Sequence, residues 1–465
     1  MIDTDKFKQW LTENTDYSKK VIGNTVSRMK RADTILPWYN DEVYQFRLDN
    51  LDDYKMISNN VRPQIKKAVK LYFEFVESQE LRKTFKESSA MNAVSLFANI
   101  GVAEAYLKDI GINVCVANEL IERRAKLYSE IYPETHMICG DINTLSVFEM
   151  IVSECLKEKV EILMATPPCQ GMSTAGPQSE NDIRNSLIIP VIKMIKCINP
   201  KYVFLENVPM FFNTEIIVDE VKILIPELLK LELEKEYHID KSIIDTKNYS
   251  VPQTRERAIV LMTRKDQMKR WLPPSRDEKV VTMHDAIGDL PMLDPFVKDV
   301  EKKELLEMFP HFKEREKEAL KISHWHNPPH HIKRQVIAIQ HTPTGGTAFD
   351  NEVYYPVKEN GKAVRGYRNT YKRQNWNTPA YTVTMDNRKI SSQNNVHPGR
   401  LEYVNEHGDE IYSDARTLTL YELMIIMSLP EDWPVPDNTS EAFLRRIIGE
   451  GIPPLFVKKV FENLK

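Results

Sequence analysis

The sequence predicts an α/β protein with a largely parallel sheet, preceded by an all-helical segment and interrupted by an irregular one. Three observations support this prediction. Residues 1–88 carry apolar stripes at helical spacing, residues 92–265 alternate short apolar runs with helical segments, and residues 266–412 lose this regularity. Helical periodicity returns in residues 413–465. Strands that alternate with helices give a parallel sheet covered on both faces, so we expect residues 92–265 to form the core domain.

The composition is that of a globular protein whose small net charge gives no strong overall electrostatic field. The chain has 465 residues, of which 42% are hydrophobic and 28% charged, and its net charge is −4. It is long enough for two or three domains, and any surface for nucleic acid must be local. There are five cysteines without a metal-binding spacing, and there is no long apolar run. We therefore expect a cytoplasmic protein with reduced thiols, no metal site and no membrane segment.

Residues 1–88 are expected to form a helical domain. Phe7, Trp10 and Leu11 share one helical face, and a further apolar stripe runs from Val69 to Phe75. Basic residues lie between these stripes: Lys19, Lys20, Arg28, Lys30, Arg31, Arg62, Lys66, Lys67 and Lys70. They are either solvated helix faces or a surface that contacts DNA, and the sequence alone leaves both interpretations open.

The core domain is expected to contain seven strands and at least four helices. The strands are placed at residues 93–97, 114–119, 136–139, 160–165, 202–205, 242–245 and 258–262. The helices are placed at residues 103–109, 120–128, 191–198 and 221–233. After residue 264 the alternation ends, and helices are next expected at residues 418–427 and 454–464.

The stretch Pro167-Pro168-Cys169-Gln170 follows one of the apolar runs directly. Each proline fixes φ and removes an N–H group, so the chain must leave the sheet there. The Cys169 thiol is thereby placed at the carboxyl end of a strand, where open α/β sheets build their sites. On position alone, Cys169 is either a nucleophile or an ordinary cysteine at a strand end.

Charged side chains follow neighbouring strands of the same predicted sheet. Glu206 ends the strand before Asn207 and is a candidate general acid. Arg255 and Arg257 stand two residues apart before the last strand, on one face of an extended segment, and could hold a carbonyl oxygen and a carboxylate together. A surface salt bridge is the alternative interpretation of this arginine pair.

Three further strand ends suggest a cofactor that carries adenosine. Phe97 to Gly101 forms a turn with one glycine, Glu119 ends the next strand and could accept hydrogen bonds from ribose hydroxyls, and Asp141 follows the third. A helix-start glutamate and a helix N-cap are the alternatives for Glu119 and Asp141. No phosphate loop of the GxxxxGK type is present, which disfavours ATP.

The irregular segment carries a local excess of positive charge. Between residues 358 and 400 there are nine Lys or Arg residues and two acidic ones, interleaved with Tyr367, Tyr371, Trp376 and Tyr381. Basic and aromatic residues together are what a surface needs to grip phosphates and read bases. An ordinary β-rich insertion is the alternative.

These motifs, taken in order, resemble those of the DNA cytosine-5 methyltransferases of bacterial restriction–modification systems. The motifs are Phe97–Gly101, Glu119, Gly140–Ile142, Pro167–Gly171, Asp182–Leu187, Glu206–Val208, Gln253–Arg257, Arg416–Thr419 with Glu422, and Gly449–Pro454. The resemblance covers residues 92–465 and implies a Rossmann-like fold that uses S-adenosylmethionine. Residues 266–412 would then be the target-recognition domain, and residues 413–465 would return to the catalytic domain. Residues 1–88 resemble, more diffusely, the helical core-binding domain of tyrosine recombinases.

The family resemblance also implies roles for individual residues. Cys169 would attack carbon 6 of a flipped cytosine, with Glu206, Arg255 and Arg257 as further catalytic residues. The cofactor would be bound by Phe97, Asn99, Gly101, Glu119, Asp141, Ile142, Pro167, Leu187 and Glu450. Duplex DNA would be contacted by Gln170, Ser173, Thr344, Gly345, Arg373 and Arg388. A monomer is expected, with a cognate restriction endonuclease as a further partner.

Two residues depart from the family pattern. Asn99 stands where a glycine is usual, and Glu450 stands where the late motif usually has asparagine after Gly449. Asparagine tolerates positive φ better than most residues, so the turn can survive. Two alternative functions remain at this point: a tRNA cytosine-5 methyltransferase, or a DNA-binding regulator whose cofactor site has decayed. The long variable insert favours DNA over tRNA.

Overall fold

The computed structural model describes residues 2–39, 44–88, 90–168 and 186–464, and it leaves out the side chains of residues 77–88. Three predicted site residues, Cys169, Gln170 and Ser173, therefore lie outside the described residues. The chain divides into two compact units, residues 1–90 and residues 91–465. In the described part of both units, no helix is long and apolar enough to cross a membrane.

The first unit is helical, as predicted. Its described helices are α1 (Thr4–Asn14), α2 (Lys19–Ile35), α3 (Tyr44–Asn50), α4 (Asp52–Lys55) and α5 (Arg62–Ser88). Asp3 caps α1 by accepting a hydrogen bond from the backbone N–H of Lys6 at 3.0 Å. Phe7 and Leu11 are fully buried, and the Phe7 ring meets the Tyr72 ring edge-on at 4.9 Å. The apolar stripes thus form one core that the helices share.

The second unit is an α/β domain with a long irregular insertion. Its strands are β1 (Met91–Leu96), β2 (Ile112–Glu119), β3 (His136–Cys139), β4 (Ile162–Ala165), β5 (Tyr202–Asn207), β6 (Glu215–Val218), β7 (Val221–Leu224), β8 (Tyr237–Asp245), β9 (Glu256–Arg264), β10 (Phe296–Val297), β11 (His330–His331), β12 (Leu401–Val404) and β13 (Glu410–Tyr412). Its helices are α6 (Glu122–Ile131), α7 (Leu145–Lys157), α8 (Ile188–Ile198), α9 (Ile225–Leu233), α10 (Met283–Ile287), α11 (Lys302–Met308), α12 (Phe312–Ile322), α13 (Lys333–Gln340), α14 (Leu420–Ile426), α15 (Glu441–Glu450) and α16 (Pro454–Glu462).

Seven strands form the central sheet in the order β3-β2-β1-β4-β5-β9-β8. The five strands from β3 to β5 are parallel, whereas β9 runs antiparallel to both of its neighbours. One face of the sheet packs on a cluster that includes α7 and α8, and the other packs on a cluster that includes α16 and Trp271. The predicted Rossmann-like sheet is confirmed, with helices on both faces.

One predicted helix is wrong, and another begins four residues later than predicted. Residues 103–109 form a succession of tight turns, in which the N–H of Leu107 donates to the carbonyl oxygen of Glu104, three residues earlier, at 2.8 Å. These turns bring the buried Glu104 carboxyl against Ser95, whose hydroxyl donates to it at 2.5 Å, and burial raises the pKa of Glu104 to about 7. In residues 221–233, the first four residues pair with β6 as strand β7, and only α9 is helical.

The insertion is irregular, as predicted, but it contains more helix than strand. Four short helices, α10 to α13, account for most of its regular structure in the described residues, and β10 to β13 form two small two-stranded ladders. A buried apolar cluster that includes Phe312, Val336 and Tyr371 gives it a core of its own. The chain then returns to the main sheet through α14, α15 and α16.

Candidate functional site

The ends of five parallel strands meet at one edge of the sheet. Leu96 at the end of β1 pairs with Asn118 on β2 and with Ala165 on β4. Ala165 in turn pairs with Leu205 on β5, and Glu119 pairs with Cys139 on β3. Since the strands run in the same direction, the segments that follow them all leave from this edge. The sheet therefore brings the predicted catalytic and cofactor motifs to one side of the molecule.

Glu206 and Arg257 form an ion pair at this edge. The Glu206 Oε1 atom lies 2.6 Å from Arg257 Nε, and each side chain is 12% exposed. Glu206 belongs to β5 and Arg257 to β9, the antiparallel strand beside it. The Arg257 Nη1 group also donates to the carbonyl oxygen of Glu256 at 2.7 Å. A carboxyl group and a guanidinium are thus fixed together with limited access to solvent.

Asn207 connects this pair to the strand end that precedes Cys169. Its side-chain Nδ2 donates to the carbonyl oxygen of Pro167 at 3.0 Å, and its Oδ1 accepts from the backbone N–H of Val208 at 2.9 Å. Asn207 is 3% exposed, and Pro167 is buried as well. The chain that leads into Cys169 therefore starts directly beside Glu206.

Arg255 occupies a different environment from Arg257. It is 2% exposed, and its guanidinium donates to the carbonyl oxygens of Val383 at 2.8 Å and Gly449 at 2.9 Å. Its backbone N–H donates to Asp245 Oδ1 at 2.9 Å. Arg255 thus links the last part of the sheet to the insertion and to the end of α15. These contacts support a positioning role in place of the predicted catalytic one.

The turn after β1 has an unusual backbone. Phe97, Asn99 and Gly101 all have positive φ, at 59°, 52° and 80°. A Cβ atom on Gly101 would lie 2.1 Å from Tyr132, whose hydroxyl donates to the Gly101 carbonyl oxygen at 2.6 Å. Only glycine fits there, whereas Asn99 is tolerated because asparagine is among the residues that adopt this conformation.

Glu119 holds the same turn in place. It is 6% exposed, its Oε2 accepts from the backbone N–H of Asn99 at 2.9 Å, and its Oε1 accepts from the N–H of Ile121 at 2.9 Å. Each carboxylate oxygen has a second lone pair, so further donors such as ribose hydroxyls can still be accepted. Glu119 therefore shapes the predicted cofactor turn and remains a candidate to bind a ligand there.

The other predicted cofactor residues lie around this turn. Asp141 is exposed and accepts from the backbone N–H of Asn143 at 2.9 Å, while Ile142 is 3% exposed and packs in the core. Leu187 is partly buried against the same core cluster. The Glu450 carboxylate reaches Asn99, and it also pairs with Arg124 on α6 at 2.8 Å. Arg124 was missed at the sequence level, where it looks like any basic residue in the first turn of an exposed helix.

The predicted DNA contacts divide into exposed and buried residues. Thr344 and Arg388 are exposed, and Gly345, which follows Thr344 directly, adopts φ 71°. Arg373 is fully buried, and its guanidinium donates to the carbonyl oxygens of Ile339, His397, Ser413 and Asp414. Burial lowers the pKa of Arg373 to about 9. Arg373 is therefore corrected to a structural residue, because its side chain is enclosed and already bonded within the protein.

Four exposed basic residues of the insertion lie in one short segment, residues 358–368. Lys358, Lys362, Arg365 and Arg368 are exposed, and Tyr367 among them is 79% exposed. Lys358 and Lys362 flank a tight turn, in which the N–H of Lys358 donates to the carbonyl oxygen of Lys362 at 2.8 Å. Of the residues predicted to form a basic and aromatic surface, these five are exposed, whereas Arg373 and Tyr371 are buried.

The chain is similar in sequence to known proteins. A relative from Avibacterium volantium, named Type II methyltransferase M1.HgaI, is 40% identical over 80% of this chain and 97% of its own length. A second, Type II methyltransferase M.DdeI from Desulfomicrobium norvegicum, is 27% identical over 44% of this chain and 49% of its own.

A solved structure shares the fold. It is a prophage-encoded E. coli protein assigned as a DNA modification methyltransferase, with a TM-score of 0.55, 16% identity, and coverage of 81% of this chain and 98% of that one. The family described as C-5 cytosine-specific DNA methylase matches residues 91–465, the whole of the second unit. With this match and the 40% identical relative, the chain belongs to the C-5 cytosine-specific DNA methylase family.

Proposed function

We propose that this DNA cytosine-5 methyltransferase transfers the methyl group of S-adenosyl-L-methionine to a cytosine flipped out of a specific duplex sequence, through a covalent adduct with Cys169. The observation that carries the proposal is the Glu206–Arg257 pair at 2.6 Å, beside the strand end that leads into Cys169, in a chain of this family. Inside a duplex, carbons 5 and 6 of cytosine are stacked and cannot be reached from a protein pocket.

The chemistry explains the residue types. Carbon 5 of cytosine is a poor nucleophile, so the Cys169 thiolate first forms a bond to carbon 6 and pushes electron density towards N3 and O2. Glu206 would protonate or hydrogen-bond N3, and Arg257 would hold O2, so both stabilise the charge that develops. Carbon 5 then gains the methyl group and loses its proton to a base, and elimination of the Cys169 sulfur restores the ring.

The residues at the sheet edge fit S-adenosyl-L-methionine, which would supply an electrophilic methyl group. The turn after β1 presents a buried acceptor, Asn99 Oδ1, that has no donor among the described residues. Glu119 retains acceptor capacity in the same place. The residues proposed to hold the cofactor directly are Phe97, Asn99, Gly101, Glu119, Asp141, Ile142, Pro167 and Leu187, and Glu450 is proposed to belong to this site through its contact with Asn99.

Duplex DNA is the proposed partner of the insertion. The exposed residues Lys358, Lys362, Arg365 and Arg388, together with Thr344, would contact it. Lysine and arginine grip phosphates, whereas the neighbouring exposed Tyr367 offers a face for stacking on a base. Gln170 and Ser173 are proposed to contact the flipped base and its neighbours from the segment that follows Cys169.

Transfer of tritiated methyl groups tests this function. The full-length protein is incubated with tritiated S-adenosyl-L-methionine and either duplex DNA or tRNA, and label is expected on DNA alone. Label on tRNA alone would favour the tRNA methyltransferase alternative, and no label on either would favour a decayed regulator. Bisulfite sequencing of the labelled DNA then gives the recognition sequence.

We also propose a restriction endonuclease of the same specificity as a functional partner, because the relatives are named as type II methyltransferases. DNA treated with the active protein should resist cleavage by that endonuclease. The protein is proposed to act as a monomer, because one chain carries the family's motifs from Phe97 to Pro454 in order. Sedimentation at twice the mass of the chain would contradict this.

Residues 1–88 are proposed to add affinity for DNA. Between residues 17 and 32 there are five basic residues and no acidic one, and Lys19, Lys20, Lys30 and Arg31 are exposed on α2. Exchanging these four for glutamine in the full chain should weaken DNA binding and reduce its dependence on salt concentration, because fewer counterions are released. Unchanged affinity and salt slope would assign these residues to a solvated helix face. The matched control exchanges Lys6 and Lys8 on α1, which follow the acidic residues Asp3 and Asp5.

A further inference from the structure

The end of α15 packs directly against the turn after β1. A Cβ atom on Gly451 would lie 2.9 Å from Val102 Cγ1, and one on Gly449 would lie 2.3 Å from the carbonyl oxygen of Thr384. The carbonyl oxygen of Gly449 is held by Arg255 at 2.9 Å. The residue between these glycines, Glu450, is therefore fixed in position by the backbone on both sides.

The Glu450 carboxylate is surrounded by donors from three parts of the chain. Its Oε2 lies 2.8 Å from Arg124 Nη2 and 3.4 Å from Asn99 Nδ2, and its Oε1 accepts from Arg446 Nε at 3.4 Å. Glu450 and Arg124 are each 16% exposed. The two residues that depart from the family pattern, Asn99 and Glu450, are thus in contact although they are 351 positions apart.

This contact determines which way the Asn99 amide points. An ionised carboxylate only accepts hydrogen bonds, so the atom of Asn99 that faces Glu450 must be the NH₂ group. The Oδ1 atom then points away from Glu450, and it is buried without a donor among the described residues. A buried acceptor without a partner costs free energy, which a donor from a bound ligand would recover.

We propose that the Asn99 side chain binds the cofactor directly: its Oδ1 accepts a hydrogen bond from an N–H or O–H group of the cofactor, and Glu450 and Arg124 position its amide. The proposal rests on the proposed function, since it takes this edge to be the cofactor site. A glycine at position 99 would keep the backbone turn, because glycine adopts positive φ without strain. The side chain of Asn99 is therefore needed for binding and not for folding.

Calorimetric titration with S-adenosylhomocysteine tests the proposal. Asn99→Gly should weaken binding by about 5- to 20-fold, the effect of one buried hydrogen bond, and leave the unfolding temperature of the free protein unchanged. Glu450→Ala should weaken binding in the wild-type background but much less in the Asn99→Gly background, because both substitutions act on one network. Arg446→Ala, which removes only the 61% exposed donor on the other oxygen, is the matched control and should change affinity by less than about twofold.

A second, independent check exchanges the donor and acceptor roles of residues 99 and 450. Asn99→Asp places two carboxylates together and should weaken binding more than Asn99→Gly, because like charges repel. Adding Glu450→Gln restores a donor opposite an acceptor and should recover part of the affinity. In steady-state assays, Asn99→Gly should raise KM for S-adenosylmethionine and leave kcat within about twofold.

The outcomes separate the inference from the function on which it rests. No binding of S-adenosylhomocysteine to the wild-type protein would overturn both. Binding to the wild type with equal affinity for Asn99→Gly would overturn the inference alone, as would additive effects of Asn99→Gly and Glu450→Ala. Repeating the titrations with methylthioadenosine, which lacks the amino-acid end, identifies the donor: a retained Asn99 effect places it on the nucleoside, and a lost effect places it on the ammonium group.

Discussion

Replacing Cys169 by alanine is expected to abolish methyl transfer to DNA, with a loss in kcat on the order of 10⁴-fold or more. Without a thiolate no bond to carbon 6 forms, and carbon 5 stays too poor a nucleophile to take the methyl group. The loss is measured as tritium transferred to duplex DNA at saturating cofactor. Cys197→Ala is the matched control, because Cys197 is an exposed free cysteine on α8, and this variant should retain activity within about twofold.

Glu206→Gln separates the nucleophile from the groups that assist it. Glutamine keeps an oxygen that can accept from Arg257 but no longer supplies a proton, so kcat should fall by about 10²- to 10⁴-fold, a smaller loss than for Cys169→Ala. Equal activity of Cys169→Ala and the wild type would contradict the covalent mechanism. A Glu206→Gln variant as active as the wild type would contradict only the proposed role of Glu206 as an acid.

The edge of the sheet where the site lies could be predicted because it depends on local pattern alone. Apolar runs of strand length, separated by helical segments, determine a parallel sheet, and the ends of parallel strands must meet. The sequence alone therefore places Glu119 and Glu206 at one edge. The Glu206–Arg257 pair does not follow from this logic, because β9, which carries Arg257, runs antiparallel to β5 and its place in the sheet has no local signal.

What could not be predicted depends on tertiary packing. Arg373 lies in a basic stretch and looks like a DNA contact, but four backbone carbonyl oxygens from distant segments enclose it. Arg255 and Arg257 are indistinguishable by type and spacing, yet one contacts Glu206 and the other holds Val383 and Gly449. Arg124 carries no sequence signal, because its partner Glu450 is far away along the chain.

Replacing Arg416 by methionine is expected to lower the free energy of unfolding of the second unit by about 3–5 kcal/mol. Arg416 is fully buried and forms two bonds of 2.8 Å to Glu422, with a third of 2.7 Å to Asp414. Although burial opposes ionisation, the Arg416 charge holds the pKa of Glu422 well below its usual range. Methionine fills the space but leaves two carboxylates buried without their counter-charge.

The structural consequence reaches beyond the ion pair itself. Arg416 Nε also donates to the carbonyl oxygen of Leu293 at 2.8 Å, and Asp414 accepts from the N–H of Leu293 at 3.0 Å. Glu422 caps α14 through the backbone N–H of Thr419 at 2.7 Å. The charges of Asp414, Arg416 and Glu422 thus join the start of the insertion to α14, the helix through which the chain returns to the sheet. Arg416→Met should therefore weaken the packing of both segments.

Chemical denaturation in urea measures the loss, with Arg368→Met as the matched control. Arg368 pairs with Asp350 at the surface, where the two side chains are 69% and 58% exposed, so its loss should cost less than about 1 kcal/mol. Arg416→Lys retains the charge but not the fork that bonds two carboxylates, and it should fall between the wild type and methionine. A loss for Arg416→Met no larger than for Arg368→Met would contradict the argument. Both arginines pair with carboxylates, but only Arg416 is buried. Burial is therefore the reason that the loss of Arg416 should cost more free energy of unfolding than the loss of Arg368.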